Sequence, residues 1–367
     1  MLKKLYAHNF KCLQNFEFSP KGLNSALLLG NNGSGKSTIF DALEIFQKIG
    51  YGVTPLRDLV NERHWWQKNI HLPMTLEIEL ELEDDLFTYK LMIEWPLTFK
   101  EPRIKQEILT VNAKEILNRH EGQTTFNTSA NFLIDWHQIG LPLISTSEDN
   151  PVALLRQWLR NIVILSPFPR YFSGRSKQET DFLKREGENC IDWARSVIPN
   201  NPEVYPDVLD FLKNRIKDLE AFKWEKLGKE ERGLEFTFNH DRKTITFNYE
   251  ELSDGEKVFF LAACLLAAQK INGSMLCLWD EPDNYIGLTE LKRLVYDFRQ
   301  AFDTSSQNSQ LIVTSHNESV INEFSEHNTF FISKESHLSH SRIATLMDKK
   351  YQSRTVVDAY YNGELDE

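Results

Sequence analysis

The chain has 367 residues, of which 41% are hydrophobic and 26% charged, a globular composition that excludes a disordered protein. Its formal net charge of -11 excludes a generally basic nucleic-acid coat, so any contact with nucleic acid must come from a local patch. The four cysteines (Cys12, Cys190, Cys264 and Cys277) are scattered without CxxC or ligand spacing, which argues against a disulfide framework or a zinc site.

The length suits two or three domains, or one large nucleotide-binding domain with insertions. The opening stretch "MLKKLYAHNFKCLQNFEF" has no signal-peptide core. No apolar run reaches membrane-spanning length, and "VFFLAACLLAA" (258–268) is too short. A cytoplasmic protein with no membrane partner is expected.

"LKKLYAHNF" and "FEFS" read as short strands, and "SALLLG" (25–30) as a wholly apolar strand entering a glycine-rich loop. "STIFDALEIFQKIG" has helical spacing and stops at Gly50. Residues 74–96 alternate and turn at "EDD", which predicts an antiparallel hairpin, with further strands to about residue 127. "VALLRQWLRNIV" and "VYPDVLDFLKNRIKDLEAF" predict helices, and 234–249 a second hairpin. "SDGEKVFFLAACLLAAQKI" is helical, and "MLCLW" and "QLIVTS" are apolar strands separated by the helix "LTELKRLVYDFRQAF". Cys264 and Cys277 lie in apolar runs and read as buried thiols. The expected domains are 1–130, an N-terminal lobe with an antiparallel β subdomain; 131–230, a mainly helical insert; 231–335, a C-terminal lobe; and 336–367, a tail.

Four motifs carry chemistry. Gly30-Asn31-Asn32-Gly33-Ser34-Gly35-Lys36-Ser37 fits the phosphate-binding G-x-x-x-x-G-K-[ST] pattern, with a strand before it and a helix after it. Its glycines let successive N–H groups turn toward phosphates at a helix N-terminus. Lys36 would reach the β/γ-phosphates, Ser37 would hold Mg²⁺, and Asn31, Asn32, Gly33, Ser34, Gly35 and Thr38 complete the cradle. In "MLCLWDEPDN" an apolar strand ends in Asp280, a candidate metal ligand, and Glu281, a candidate base for the attacking water. In "ELSDGEK" a Leu-Ser-x-Gly-Glu run opens a helix, where Ser253 and Gly255 could grip a γ-phosphate and where Ser253 with Glu256 also forms a capping box. "QLIVTSHNE" places His316 just after an apolar strand.

The order of these motifs resembles the SMC/RecF-like branch of the ABC-type ATPases, and "NFK" before the P-loop adds to it. The resemblance implies an α/β P-loop NTPase of ABC/RecF type, with a mixed sheet, an antiparallel β subdomain and a helical insert. It implies ATP and Mg²⁺ as cofactors, Lys11 among the nucleotide-binding residues, and Ser253, Gly255 and Glu256 in the signature motif. Lys36, Glu281 and His316 take the catalytic roles, Ser37 and Asp280 hold the metal, and Asp283 and Asn284 resemble a D-loop. A Q-loop glutamine has no clear place, with Gln67 and Gln157 both open. Two copies would sandwich ATP as a homodimer or higher even oligomer.

"DEPDNYI" and the lack of heptads between the halves resemble stand-alone bacterial ATPases of the OLD, Septu and PARIS anti-phage type. The stretch after His316 looks too short for a Toprim nuclease, and its acids (Asp348, Asp358, Glu364, Asp366) read as a solvated tail. This resemblance implies an ATP-hydrolysing switch that controls a separately encoded nuclease or toxin. The alternative is a RecF-like DNA-repair ATPase that binds DNA directly; a transporter subunit fits less well. Residues 151–178 hold Arg156, Arg160, Arg170, Arg175 and Lys177 among Phe168, Tyr171 and Phe172, without an acid. They suit nucleic acid or, with somewhat better fit, docking of the insert through arginine pairs.

Overall fold

The computed structural model describes residues 1–127, 129–145, 147–148 and 150–365. In chain order the strands and helices are β1 (Leu2–His8), β2 (Phe16–Phe18), β3 (Ser25–Leu29), α1 (Lys36–Gly50), β4 (Met74–Leu82), β5 (Asp85–Glu94), β6 (Arg103–Val111), β7 (Lys114–His120), β8 (Gln123–Phe126), β9 (Ala130–Leu133) and α2 (Pro151–Arg160). They continue with β10 (Ile162–Leu165), β11 (Arg175–Ser176), α3 (Cys190–Val197), α4 (Tyr205–Lys213), β12 (Leu219–Lys226), β13 (Arg232–His240), β14 (Lys243–Asn248), α5 (Asp254–Ile271), β15 (Leu276–Asp280), α6 (Leu288–Asp303), β16 (Gln310–Thr314) and α7 (Glu318–Ile321). The last are β17 (Thr329–Ser333), β18 (Arg342–Thr345) and α8 (Val356–Tyr361). Two compact units divide the chain, Met1–Ile162 with Phe324–Glu367, and Val163–Glu323.

The first unit carries an eight-stranded sheet in the order β2-β1-β4-β5-β6-β7-β8-β9. All its pairings are antiparallel. The alternation read in residues 74–96 is real: one face of β4 and β5 is buried along its length. Glu83 and Asp84 turn between them with φ of 50° and 67°, the left-handed pair that a tight hairpin needs. Every residue of β3 is buried, as expected of a strand covered on both faces. It runs parallel to β17, which pairs antiparallel with β18, so this sheet is mixed. The α1 helix buries Ile39, Phe40, Leu43 and Phe46 on one stripe.

In the second unit β15 and β16 run parallel, Leu276 opposite Gln310 through Asp280 opposite Thr314. The α5 helix is apolar nearly all round and buried from Lys257 to Leu265, so it is a core helix rather than an amphipathic one. Cys190, Cys264 and Cys277 are buried thiols, and Cys12 is half-buried. Burial pushes the Cys190 and Cys277 thiols up to about 12.

One predicted helix ends early. The stretch from Val204 to Phe222 does not stay helical: α4 stops at Lys213, Asp218 takes a φ of 62°, and Leu219–Lys226 becomes β12. Tertiary pairing overrides helix propensity here, because Phe222 lies opposite Phe236 of β13 and both rings pack on Phe260 of α5.

Candidate functional site

The glycine-rich loop links β3 to α1 in the first unit. Gly33 and Gly35 adopt φ of 78° and 113°, as a loop that aims its N–H groups inward requires. Asn31, Asn32 and Gly33 are exposed at the rim, with Ser37 on the first turn of the helix. Lys36 is 6% exposed, and its ammonium donates to Gly30 O at 2.5 Å and Asn31 O at 3.2 Å, folded back along the inside of the loop. Ser34 Oγ is buried without a hydrogen-bond partner. A buried hydroxyl lacking a partner, a lysine stored on carbonyls and a helix N-terminus fit a polyphosphate with its Mg²⁺.

The loop is braced from behind. Ser341, ahead of β18, donates through its hydroxyl to Ser34 O at 2.5 Å and through its N–H to Cys12 O at 2.9 Å. Gly30 has φ +154°, and a Cβ there would lie 2.1 Å from Ile332 O. That neighbour is backbone in β17 and cannot swing aside. Gly30→Ala is expected to destabilise the chain by about 1–3 kcal/mol and to weaken ATP binding, read by urea unfolding and nucleotide titration.

Lys11 Nζ pairs with Asp41 Oδ2 of α1 at 2.6 Å, on the wall of a cavity of about 170 Å³ that Arg57, Asn61 and His64 also line. Burial, then the Lys11 charge, lowers the His64 imidazole below its usual range. A larger cavity of about 780 Å³ opens beside Asn31, walled by Phe331, Lys334 and Arg342.

The second unit holds the acids. Asp280 ends β15, where Thr314 Oγ1 donates to its Oδ1 at 2.6 Å and Ser166 Oγ donates to Oδ2 at 3.3 Å. Glu281 follows with φ 49° and ψ 65°, a left-handed backbone that costs a β-carbon-bearing residue strain and is typical of functional sites. Its N–H donates to Thr314 O at 3.1 Å and to Thr314 Oγ1 at 3.0 Å. One fully buried threonine thus fixes both acids. Asn284 Nδ2 donates to Glu281 Oε2 at 3.2 Å, and His316 Nε2 stands 3.8 Å from Oε1. Asp283 accepts from Ser315 Oγ at 2.8 Å. The sequence pattern named Asp280, Glu281, Asp283, Asn284 and His316; it did not mark Thr314, Ser166 or Arg185, which is 3.7 Å from Asp280. An i-to-j hydroxyl contact leaves no spacing signature.

Ser253 is the N-cap of α5, accepting from the Glu256 N–H at 3.3 Å, while Glu256 Oε2 accepts from the Ser253 N–H at 2.8 Å. The capping box read from the sequence is therefore formed. Gly255 approaches Tyr285 O so closely that a Cβ added at this position would lie only 3.0 Å from it. Gln67 is exposed and donates to Leu338 O at 3.3 Å, and Gln157 is exposed on α2.

In the arginine-rich stretch, Arg160 Nε donates to Gly50 O at 2.8 Å at the end of α1. Arg175 lies 4.0 Å from Glu231, Phe172 is buried and Tyr171 exposed. Of the tail acids, Asp348 and Asp358 are exposed, as a solvated tail would have them, and Thr355, the N-cap of α8, donates to the Asp358 carboxylate at 2.7 Å; Glu364 accepts from the Gln352 and Ser353 N–H groups at 2.6 and 2.9 Å. Those bonds hold the Glu364 carboxyl below its ordinary value, the Ser353 hydroxyl contributing most. Asp366 lies outside the described residues. No helix among the described residues is long and apolar enough to cross a membrane.

The fold is that of ABC-type P-loop ATPase heads. An SMC head solved with the C-terminal winged-helix domain of ScpA matches at TM-score 0.58 and 15% identity, covering 95% of this chain and 98% of that one. An SMC head with an extended coiled coil, bound to the C-terminal domain of ScpA derived from Pyrococcus furiosus, matches at TM-score 0.55 and 15% identity, covering 95% and 97%. No curated protein matches significantly. The profile of one family, described as "AAA domain, putative AbiEii toxin, Type IV TA system", spans residues 25–322, and the chain belongs to that family of AAA-domain P-loop ATPases.

Proposed function

We propose that the protein is an ATP-binding and ATP-hydrolysing switch that dimerises around ATP and controls a separately encoded effector, in anti-phage defence of the OLD, Septu or PARIS type. The observation that carries the hydrolytic part is Glu281: it follows a metal-ligand candidate, its backbone is held in a strained conformation by Thr314, and its carboxylate lies between Asn284 and His316. The family description, which names a putative toxin of a toxin–antitoxin system, supports a place in a multi-component system of that kind. SMC heads of the same fold, solved with a domain of ScpA on them, support a head that carries another protein.

ATP with Mg²⁺, when bound, supplies the labile γ-phosphoryl bond and a Lewis acid. Lys36 would leave its two carbonyls and neutralise phosphate charge, while the N-terminus of α1 would add its partial positive charge. Ser37 and Asp280 would hold the metal. Glu281 orients the attacking water and accepts its proton, and His316 donates a hydrogen bond toward the phosphoryl oxygens. Ser253 and Gly255 of a second copy complete the site, with the helix start of α5 facing the γ-phosphate. Lys11, Asn31, Asn32, Gly33, Thr38 and Glu256 line the nucleotide in the same reading.

The test is assembly. In Mg²⁺ and ATP, a slow-hydrolysing chain is expected to sediment as a dimer or higher even oligomer, and Ser253→Arg is expected to hold it monomeric with ATP still bound. A Ser253→Arg chain that assembles like its parent overturns the sandwich.

A further inference from the structure

Asp280 has a neighbour that its role as metal ligand does not require. Arg185 Nη2 lies 3.7 Å from Asp280 Oδ2, the oxygen that also accepts from Ser166. Arg185 Nε donates to Ser166 Oγ at 3.3 Å, so the serine hydroxyl sits in a chain from guanidinium to carboxylate. The backbone delivers this arginine. Ser166 N–H donates to Arg185 O at 2.8 Å and Phe168 N–H to Glu186 O at 2.9 Å, so residues 185–186 run beside the exit of β10. The contact is partly buried, with side-chain exposures of 26% for Arg185 and 16% for Asp280, so water screens it incompletely.

A guanidinium keeps its charge at any physiological pH. Mg²⁺ demands oxygen ligands at short range and a near-octahedral shell. A dication bound at Asp280 would face the Arg185 cation across the same carboxylate, and the two charges repel. We propose that Arg185 is a positioning residue that balances Asp280 in the metal-free chain and yields when Mg²⁺ arrives, so that it sets the Mg²⁺ concentration at which the protein takes up ATP. This rests on the reading of Asp280 as a metal ligand.

The test needs no turnover. Binding of a fluorescent ATP analogue to the full chain is titrated with Mg²⁺. Arg185→Ala is expected to lower the half-saturating Mg²⁺ concentration roughly three- to fivefold, the size expected of a partly exposed ion pair. Nucleotide affinity at saturating Mg²⁺ and the melting temperature stay close to the parent's. Arg185→Lys, which keeps the charge, is expected to stay near the parent midpoint. Ser166→Ala, which removes the bridging hydroxyl and leaves the cation, is expected to shift the midpoint the same way by less, and it stands in if Arg185→Ala fails to fold. An unchanged or raised midpoint in the variant that folds overturns the proposal. Asp280→Asn separates the two levels: if it keeps the parent Mg²⁺ dependence, the metal assignment itself fails. If it loses that dependence while Arg185→Ala has no effect, only the role of Arg185 fails.

Discussion

Glu281→Gln is expected to bind ATP with the parent's affinity and to hydrolyse it about 10²–10⁴ times more slowly, the range over which a positioned general base acts. The substitution keeps the shape of the side chain and an oxygen that can accept from Asn284, whose Nδ2 lies 3.2 Å from Glu281 Oε2. It removes the one property the role needs, an oxygen able to take a proton from water. The backbone of Glu281 is held through its own N–H by Thr314, so the amide replacement leaves the loop in place. Phosphate release measures the rate, and nucleotide titration measures the affinity. With hydrolysis slowed, the ATP-bound assembly should persist, which makes this variant the natural material for sedimentation. Hydrolysis at the parent rate would falsify the assignment of the base, and lost ATP binding would mean that Glu281 serves the nucleotide's affinity instead.

The local motifs are legible because each couples a residue pattern to an element that composition also announces. "SALLL" is apolar after its first residue and forms a fully buried strand, and Gly30, Gly33 and Gly35 after it take the positive φ values that a tight loop needs. "LCLWD" and "QLIVT" form neighbouring parallel strands, and their register places Asp280 opposite Thr314. Ser253 and Glu256 announce a cap because both partners sit three residues apart. What stays hidden depends on contacts far apart in sequence. Ser166 and Asp280 are 114 positions apart, and nothing in "ILSPF" marks its serine as a partner of a carboxylate. Leu219–Lys226 hides its strand for the same reason, because that strand exists through Phe222 and its partner Phe236 across the hairpin. The tail shows both cases: Asp348 and Asp358 are exposed, as polar spacing suggests, while Glu364 binds two backbone N–H groups that the spacing does not announce.

The most consequential contact that leaves no mark in the sequence lies in the antiparallel sheet, and Glu107→Ala is expected to cost about 3–5 kcal/mol of stability there. Glu107 on β6 and Arg119 on β7 are both fully buried, with Arg119 Nη1 3.2 Å from Glu107 Oε2. The carboxylate also accepts from the Tyr89 hydroxyl, the Gly140 N–H and the Leu141 N–H, each at 2.8 Å. Burial, then the Glu107 charge, holds the Tyr89 phenol well above its ordinary value, so it remains a donor at any working pH. Arg119 in turn donates to Glu121 O, Gln138 O and Asp135 O at 2.8, 2.7 and 2.8 Å. The pair therefore pins residues 135–141 to the sheet. Alanine at position 107 would strand a buried guanidinium, a phenol and two N–H groups, which is why the loss should exceed that of an ordinary core truncation. Urea unfolding measures it, and a cost under about 1 kcal/mol would mean that water or a neighbour replaces the carboxylate. The double variant Glu107→Leu with Arg119→Met tests the cause. If stranded charge dominates, it should recover much of the loss, because apolar replacement of a whole buried pair is often neutral. If the anchoring of residues 135–141 dominates, the double variant should stay destabilised. In either case ATP bound per folded molecule should remain at the parent value, since the glycine-rich loop takes no hydrogen bond from this pair.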